Sequence, residues 1–277
     1  MCPETKFENE LFSFINENVI DVPKKKISEI YSFWRGGSPD LKIDPKEVYV
    51  QNKSSISLSQ GVPDGACFLG VDFPTWFDKS NNQNNKKKII ILGIDPLRNK
   101  AVFDHWKAIY AEDVIIGTPY ALHDLKMRDG RQKNYWTLIE TLSEDNFVYL
   151  TDIYKTFFYT DQSKRTRSYI YYENKLIAHH IELVKKEIKL IKPDLIITFG
   201  RISFAKLMGK SAPKLVHNIE KTTAVFESEG EKYPVLPMVH LSAWKKNKLD
   251  FLRENGITDG DIVRGYCQIV NSYLKKS

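Results

Sequence analysis

Residues 191–201 read Ile-Lys-Pro-Asp-Leu-Ile-Ile-Thr-Phe-Gly-Arg. A proline ends the helix before it, because it has no amide hydrogen and its ring clashes with the preceding turn. Leu195 to Phe199 are then almost wholly apolar, too short for a helix and well suited to a strand buried on both faces. Upstream, from about Tyr172 to Lys192, Ile177, Ile181, Val184, Ile188 and Ile191 recur at steps of four and three, which gives a helix one apolar face. A helix that feeds a buried strand, which in turn closes on Gly200-Arg201, is the repeating unit of a parallel α/β sheet.

The same pattern recurs on either side. Ile89 to Ile94, Phe147 to Ile153 and Val235 to His240 are further apolar runs with the character of buried parallel strands. Tyr135 to Leu142 and Ile262 to Leu274 have helical spacing. So do Phe7 to Asn18 and the stretch holding Ile27, Ile30, Tyr31 and Trp34, which Gly36-Gly37 stops. Residues 38–78 contain short strand-like pieces (Glu47 to Val50, Ser55 to Leu58, Cys67 to Val71), and 80–88 form a polar loop. The expected fold is a three-layer α/β/α sandwich with a central, mostly parallel four-stranded sheet over residues 86–277. Residues 1–85 form an N-terminal helical and irregular extension packed on it.

Composition narrows the function. Of 277 residues, 41 are Lys or Arg and 35 are Asp or Glu, a formal charge of +6 that permits an anionic partner without demanding one. The hydrophobic fraction of 42% excludes wholesale disorder. No apolar run is long enough to span a bilayer, and MCPETKFENELF is not a signal peptide, so a cytoplasmic protein is expected. Three scattered cysteines, Cys2, Cys67 and Cys267, cannot supply a disulfide framework, a four-cysteine zinc site or an iron–sulfur cluster. The dinucleotide, Walker and nucleophile-elbow motifs are absent.

Ligands of open parallel sheets bind outside the carboxyl ends of the strands. Those ends carry Gly93-Ile94-Asp95-Pro96, Thr151-Asp152-Ile153-Tyr154-Lys155, Gly200-Arg201 and His240-Leu241-Ser242. Each has an ordinary explanation. Asp-Pro starts turns, Asp152 can cap a helix, Gly is common at strand-to-helix turns, and a lone His is more often structural. His179-His180 has no carboxylate at metal spacing and reads as surface or second-layer packing.

Their order is more informative. A Gly-Ile-Asp-Pro strand end, a central Thr-Asp strand end, "IKPDLIITFGR" and the late "VLPMVHLS" together resemble the uracil-DNA glycosylase superfamily over roughly residues 86–250. That superfamily has a Gly-x-Asp-Pro or related first motif, a central Thr-Asn and a late His-Pro-Ser loop. The resemblance implies extrusion of a damaged or deaminated base from DNA and cleavage of its N-glycosidic bond by water. It implies Asp95 as the water-positioning carboxylate beside a sugar cation, and His240 as the donor to the leaving base.

Gly93 and Ile94 would line the base, and Tyr120, in Gly117-Thr118-Pro119-Tyr120, would stack on it. A plain Gly-Pro turn with a buried Tyr is the other reading of that segment. Asp152 stands where Asn is usual; an ionised Asp offers acceptors only, so the preferred base or the activity itself is retuned. Leu241 replaces the usual Pro, while Ser242 keeps the residue that would meet a phosphate.

Trp244 would enter the gap left by the base, with Lys245, Lys246 and Lys248, and Gly200-Arg201, on the DNA backbone. The alternative is a solvated Lys-rich loop with Trp244 packed inward. Lys155, Arg165 and Arg167 form another basic stretch. The expectation is a monomeric, monofunctional glycosylase that needs no metal or organic cofactor. The alternatives are a non-catalytic nucleic-acid- or nucleotide-binding protein of the same fold and, more distantly, a small-molecule hydrolase or transferase.

Overall fold

A computed structural model describes residues 5–43, 67–79, 86–94, 114–159, 174–211, 223–258 and 260–276. They divide into two units, neither a continuous stretch of chain. The first draws on 1–73, 95–127 and 154–190, the second on 74–94, 128–153 and 191–277.

In chain order the helices are α1 (Lys6–Asn18), α2 (Lys24–Arg35), α3 (Leu125–Asp129), α4 (Lys133–Leu142), α5 (Asn174–Ile191), α6 (Arg201–Met208), α7 (Lys245–Glu254) and α8 (Ile262–Lys276). The strands are β1 (Leu41–Ile43), β2 (Cys67–Asp72), β3 (Thr75–Phe77), β4 (Lys88–Gly93), β5 (Val114–Gly117), β6 (Phe147–Asp152), β7 (Thr156–Tyr159), β8 (Leu195–Phe199), β9 (Ala224–Ser228) and β10 (Glu231–Met238).

The second unit holds the sheet expected from the sequence, with two strands more. Its order is β3-β6-β4-β8-β10-β9. The four parallel strands β6, β4, β8 and β10 are the four apolar runs. To these the structure adds β3 and β9, each antiparallel at an edge, so the sheet has six strands rather than four. Both were missed for one reason. Edge strands are half exposed, and Thr75-Trp76-Phe77 and Ala224 to Ser228 lack the solid apolar run of an interior strand.

Along the chain α5 ends and β8 begins as the 191–201 stretch predicts. Lys192 takes a left-handed φ of 51° where α5 ends. Asp194 then hooks the entry of β8 to β4: its Oδ2 accepts from the Lys88 amide at 2.8 Å, and its own amide donates to the Lys88 carbonyl at 2.8 Å.

Among the described residues the first unit carries a separate four-stranded sheet, β1-β5-β2-β7, in which β2 and β5 are parallel and the other pairs antiparallel. Its opening helix is fixed by a capping box, in which Thr5 Oγ1 accepts from the Glu8 amide and the Glu8 carboxylate accepts from the Thr5 amide. Leu11, Phe12, Ile15, Ile27 and Ile30 are buried. Of the strand-like pieces in 38–78, Cys67 to Val71 is β2; Glu47 to Val50 and Ser55 to Leu58 lie outside the described residues. Among the described residues no helix is long and apolar enough to cross a membrane.

Candidate active site

Parallel pairing brings the strand ends of the second unit to one edge. Gly93 and Asp152 are register partners at the ends of β4 and β6, and the Ile153 amide donates to the Gly93 carbonyl at 3.2 Å. Phe199 pairs with Met238, and the Gly200 amide extends that ladder to the Met238 carbonyl at 2.9 Å. Gly93 and Asp152 are buried, and Ile94 is half-buried. Asp95 lies outside the described residues. Gly200 has φ 86° and ψ 168°, a conformation that side chains on Cβ essentially exclude, and it starts α6 with Arg201 exposed.

His240, two residues past β10, is fixed by the chain on both sides. The Tyr266 hydroxyl donates to the Val239 carbonyl at 2.8 Å, and Lys248 Nζ donates to the Leu241 carbonyl at 2.8 Å. Around the ring, the Tyr135 hydroxyl lies 2.7 Å from Nδ1 and 2.9 Å from Nε2, and Ser242 Oγ lies 2.6 Å from Nδ1. The rings of Tyr135 and Phe199 stand edge-on to the imidazole, with centroids at 5.4 and 6.2 Å.

These contacts set the protonation of the histidine. Burial, and then the nearby Lys248 ammonium, push His240 down to about 4, so the imidazole is neutral at pH 7. The Ser242 backbone N–H donates to Nδ1 at 3.2 Å, and a nitrogen facing a donor must offer a lone pair. The network therefore assigns the single proton to Nε2. Burial also holds the Tyr135 phenol well above its usual value, against lowering hydrogen bonds from Ser242 and Leu241.

The segment after His240 departs from the Lys-rich loop of the sequence reading, because α7 begins at Lys245. Trp244 is its N-cap and is 84% exposed, and Lys245 and Lys246 are exposed beside it. The helical period turns Lys248 to the buried face with Phe251 and Leu252, and its ammonium meets a backbone carbonyl. Ser242 is exposed, with its hydroxyl on His240.

In the first unit Tyr120 is half-buried in a 3-10 turn, Pro119–Ala121, and has φ 58°. Lys155 is not part of a surface basic stretch: it is fully buried in an ion pair with Glu187. Arg165 and Arg167 lie outside the described residues. His180 is buried too, its Nδ1 accepting from the Lys155 amide at 3.4 Å, and burial with the neighbouring His179 and Lys155 lowers its pKa well below the ordinary value. Sequence reasoning missed Tyr135 and the role of Lys248. On a helix face Tyr135 is one aromatic among core residues, and nothing local marks it as the partner of a histidine 105 positions later.

The family model described as "Uracil DNA glycosylase superfamily" matches residues 80–255, more than half of the chain. No curated protein matches it.

Proposed function

This chain belongs to the uracil DNA glycosylase superfamily, and from that premise we propose that it is a monofunctional DNA glycosylase that removes a damaged or deaminated base with water. The observation that carries the proposal is the setting of His240: its ring meets the Tyr135 and Ser242 hydroxyls, and it is held between two pinned carbonyls on the strand edge that also carries Asp152.

In the reaction the N-glycosidic bond breaks, the base leaves with the bonding electron pair, and water adds to the sugar carbon as it loses a proton. The charge to be stabilised on the base is negative. A neutral Nε2–H donates to the base oxygen as that charge grows, taking over from the Tyr135 contact. The Tyr135 and Ser242 hydroxyls keep the ring oriented. Asp95 is proposed to stabilise the sugar cation and position the water. Gly93 and Ile94 are proposed to line the base, and Tyr120 to stack on it. Asp152 is proposed to read the base, accepting from an exocyclic amino group when ionised, as a cytosine-like edge would offer. Trp244, Lys245, Lys246 and Arg201 would meet the DNA strand.

The test is release of free base from oligonucleotides carrying uracil, hypoxanthine, xanthine or mismatched cytosine, with Asp95→Ala and His240→Ala as comparisons. A parent that releases base while both variants do not is the expected result. An Asp95→Ala variant as fast as the parent would remove Asp95 from the mechanism. One feature favours the second reading, a binder without chemistry: Asp152 and Leu241 both depart from the family pattern. Salt-sensitive DNA binding with no release on any of the four substrates would be its signature.

A further inference from the structure

The turn that carries Tyr120 is held in an unfavourable shape. Tyr120 and Ala121 have φ of 58° and 52°, two successive side-chain-bearing residues in the left-handed region. Such a conformation persists only where its surroundings over-determine it. The Ala121 amide donates to the Thr118 carbonyl at 2.8 Å, and the Asp124 amide to the Ala121 carbonyl at 3.2 Å.

The two ends of the turn are also joined through their side chains. Thr118 Oγ1 and His123 Nδ1 are 2.8 Å apart, and both residues are buried. On its other side His123 Nε2 lies 2.9 Å from Asp40 Oδ1. Trp34 packs on the imidazole with centroids 4.7 Å apart and 36° between the planes, and its Nε1–H donates to the Pro39 carbonyl at 3.3 Å. The Leu125 amide donates to the Gly37 carbonyl at 3.3 Å. A Cβ at Gly37 would lie 2.2 Å from the Leu125 side chain, so only glycine lets the two segments approach.

We propose that Asp40, His123 and Thr118 form a positioning relay. Through it the 34–40 segment, outside the span that matches the family, holds the 118–123 turn in the strained shape that presents Tyr120 to a nucleic-acid base. His123 is a positioning residue: it acts through Tyr120. The proposal rests on Tyr120 as the stacking residue. It gives the N-terminal segment a job in recognition.

The test uses the full chain. His123→Phe keeps a ring on Trp34 and removes both nitrogens; Asp40→Asn removes the charge alone; His123→Gln restores a hydrogen-bonding side chain for Thr118. Amide hydrogen exchange is followed at Ala121, Leu122 and Asp124. A double-mutant cycle of His123→Phe with Tyr120→Ala is followed on the Kd of a uracil-bearing oligonucleotide and on the rate of base release.

Exchange at the three amides is expected to quicken at least about tenfold in His123→Phe, less in Asp40→Asn, and to return partly in His123→Gln. Affinity and release should each fall about tenfold in His123→Phe, and the double variant should be no worse than Tyr120→Ala. Unchanged exchange, or losses that simply add, would overturn the relay. A parent that releases no base would count against the glycosylase reading alone, because the exchange and affinity measurements still decide the relay.

Discussion

Burial is the first reason that His240 titrates at about 4 instead of 6.5, and the Lys248 ammonium is the second. Its active form is then the neutral one. The His240-dependent limb of kcat/KM should stay flat down through pH 6.5 and fall to half at about pH 4. An acid limb centred on 6.5 would mean the ring is not held as described. The sign for stability is the same. A histidine whose folded pKa lies below its unfolded one contributes stability that is complete above pH 6.5 and is lost as pH falls toward 4. Lys248→Met removes both the cation and the donor to the Leu241 carbonyl. The acid limb should move upward without reaching 6.5, and urea unfolding should show a loss of about 1–3 kcal/mol for the orphaned carbonyl. His240 was singled out in the sequence by the order of the motifs it belongs to, since a lone histidine at a strand end is more often structural. Lys248 was misassigned because a lysine near two others reads as surface. Only the helical phase, with Phe251 and Leu252 three and four residues on, turns it inward.

At the scale of elements, the strand-to-helix turn at Gly200 aligns the site edge. Its backbone conformation is open only to glycine, whereas Gly209, at φ 61° and ψ 20°, is in the ordinary left-handed region with open space around a would-be Cβ. Gly200→Ala should cost about 1–3 kcal/mol by denaturant unfolding and slow any base release. Gly209→Ala should cost about 1 kcal/mol and leave release unchanged. Equal costs would show that the Gly200 backbone is not under the constraint described. The four parallel strands were legible because β4, β6 and β8, and β10 from Val235 on, are buried and so read as continuous apolar runs. The edge strands β3 and β9 were not, and the mixed sheet of the first unit was not, since β1 and β5 have only three and four residues and reveal themselves only by pairing.

At the scale of the whole molecule, the charge of +6 divides into buried and exposed parts that behave differently. Lys155 and Glu187 form a fully buried pair. Glu187→Leu or Lys155→Met alone should cost about 3–5 kcal/mol by leaving the other charge uncompensated, while Lys155→Met with Glu187→Leu should recover most of that loss. Additive losses in that cycle would mean that the two charges are not coupled. Lys245 and Lys246, by contrast, are exposed beside Trp244. Replacing both with Ala should reduce the slope of log Kd against log salt for DNA by roughly 1.4–1.8, with little effect on stability. Net charge alone pointed only to an anionic partner; burial separates the lysines that hold the fold from those free to meet a phosphate. The most direct measurement is single-turnover release of free base by the parent and by His240→Ala from oligonucleotides bearing uracil, hypoxanthine, xanthine or mismatched cytosine. The parent should release at least one of these bases, and His240→Ala should be slower by about 10²–10³-fold on that substrate. No release of any base by the parent, or equal rates for the two proteins, would contradict it.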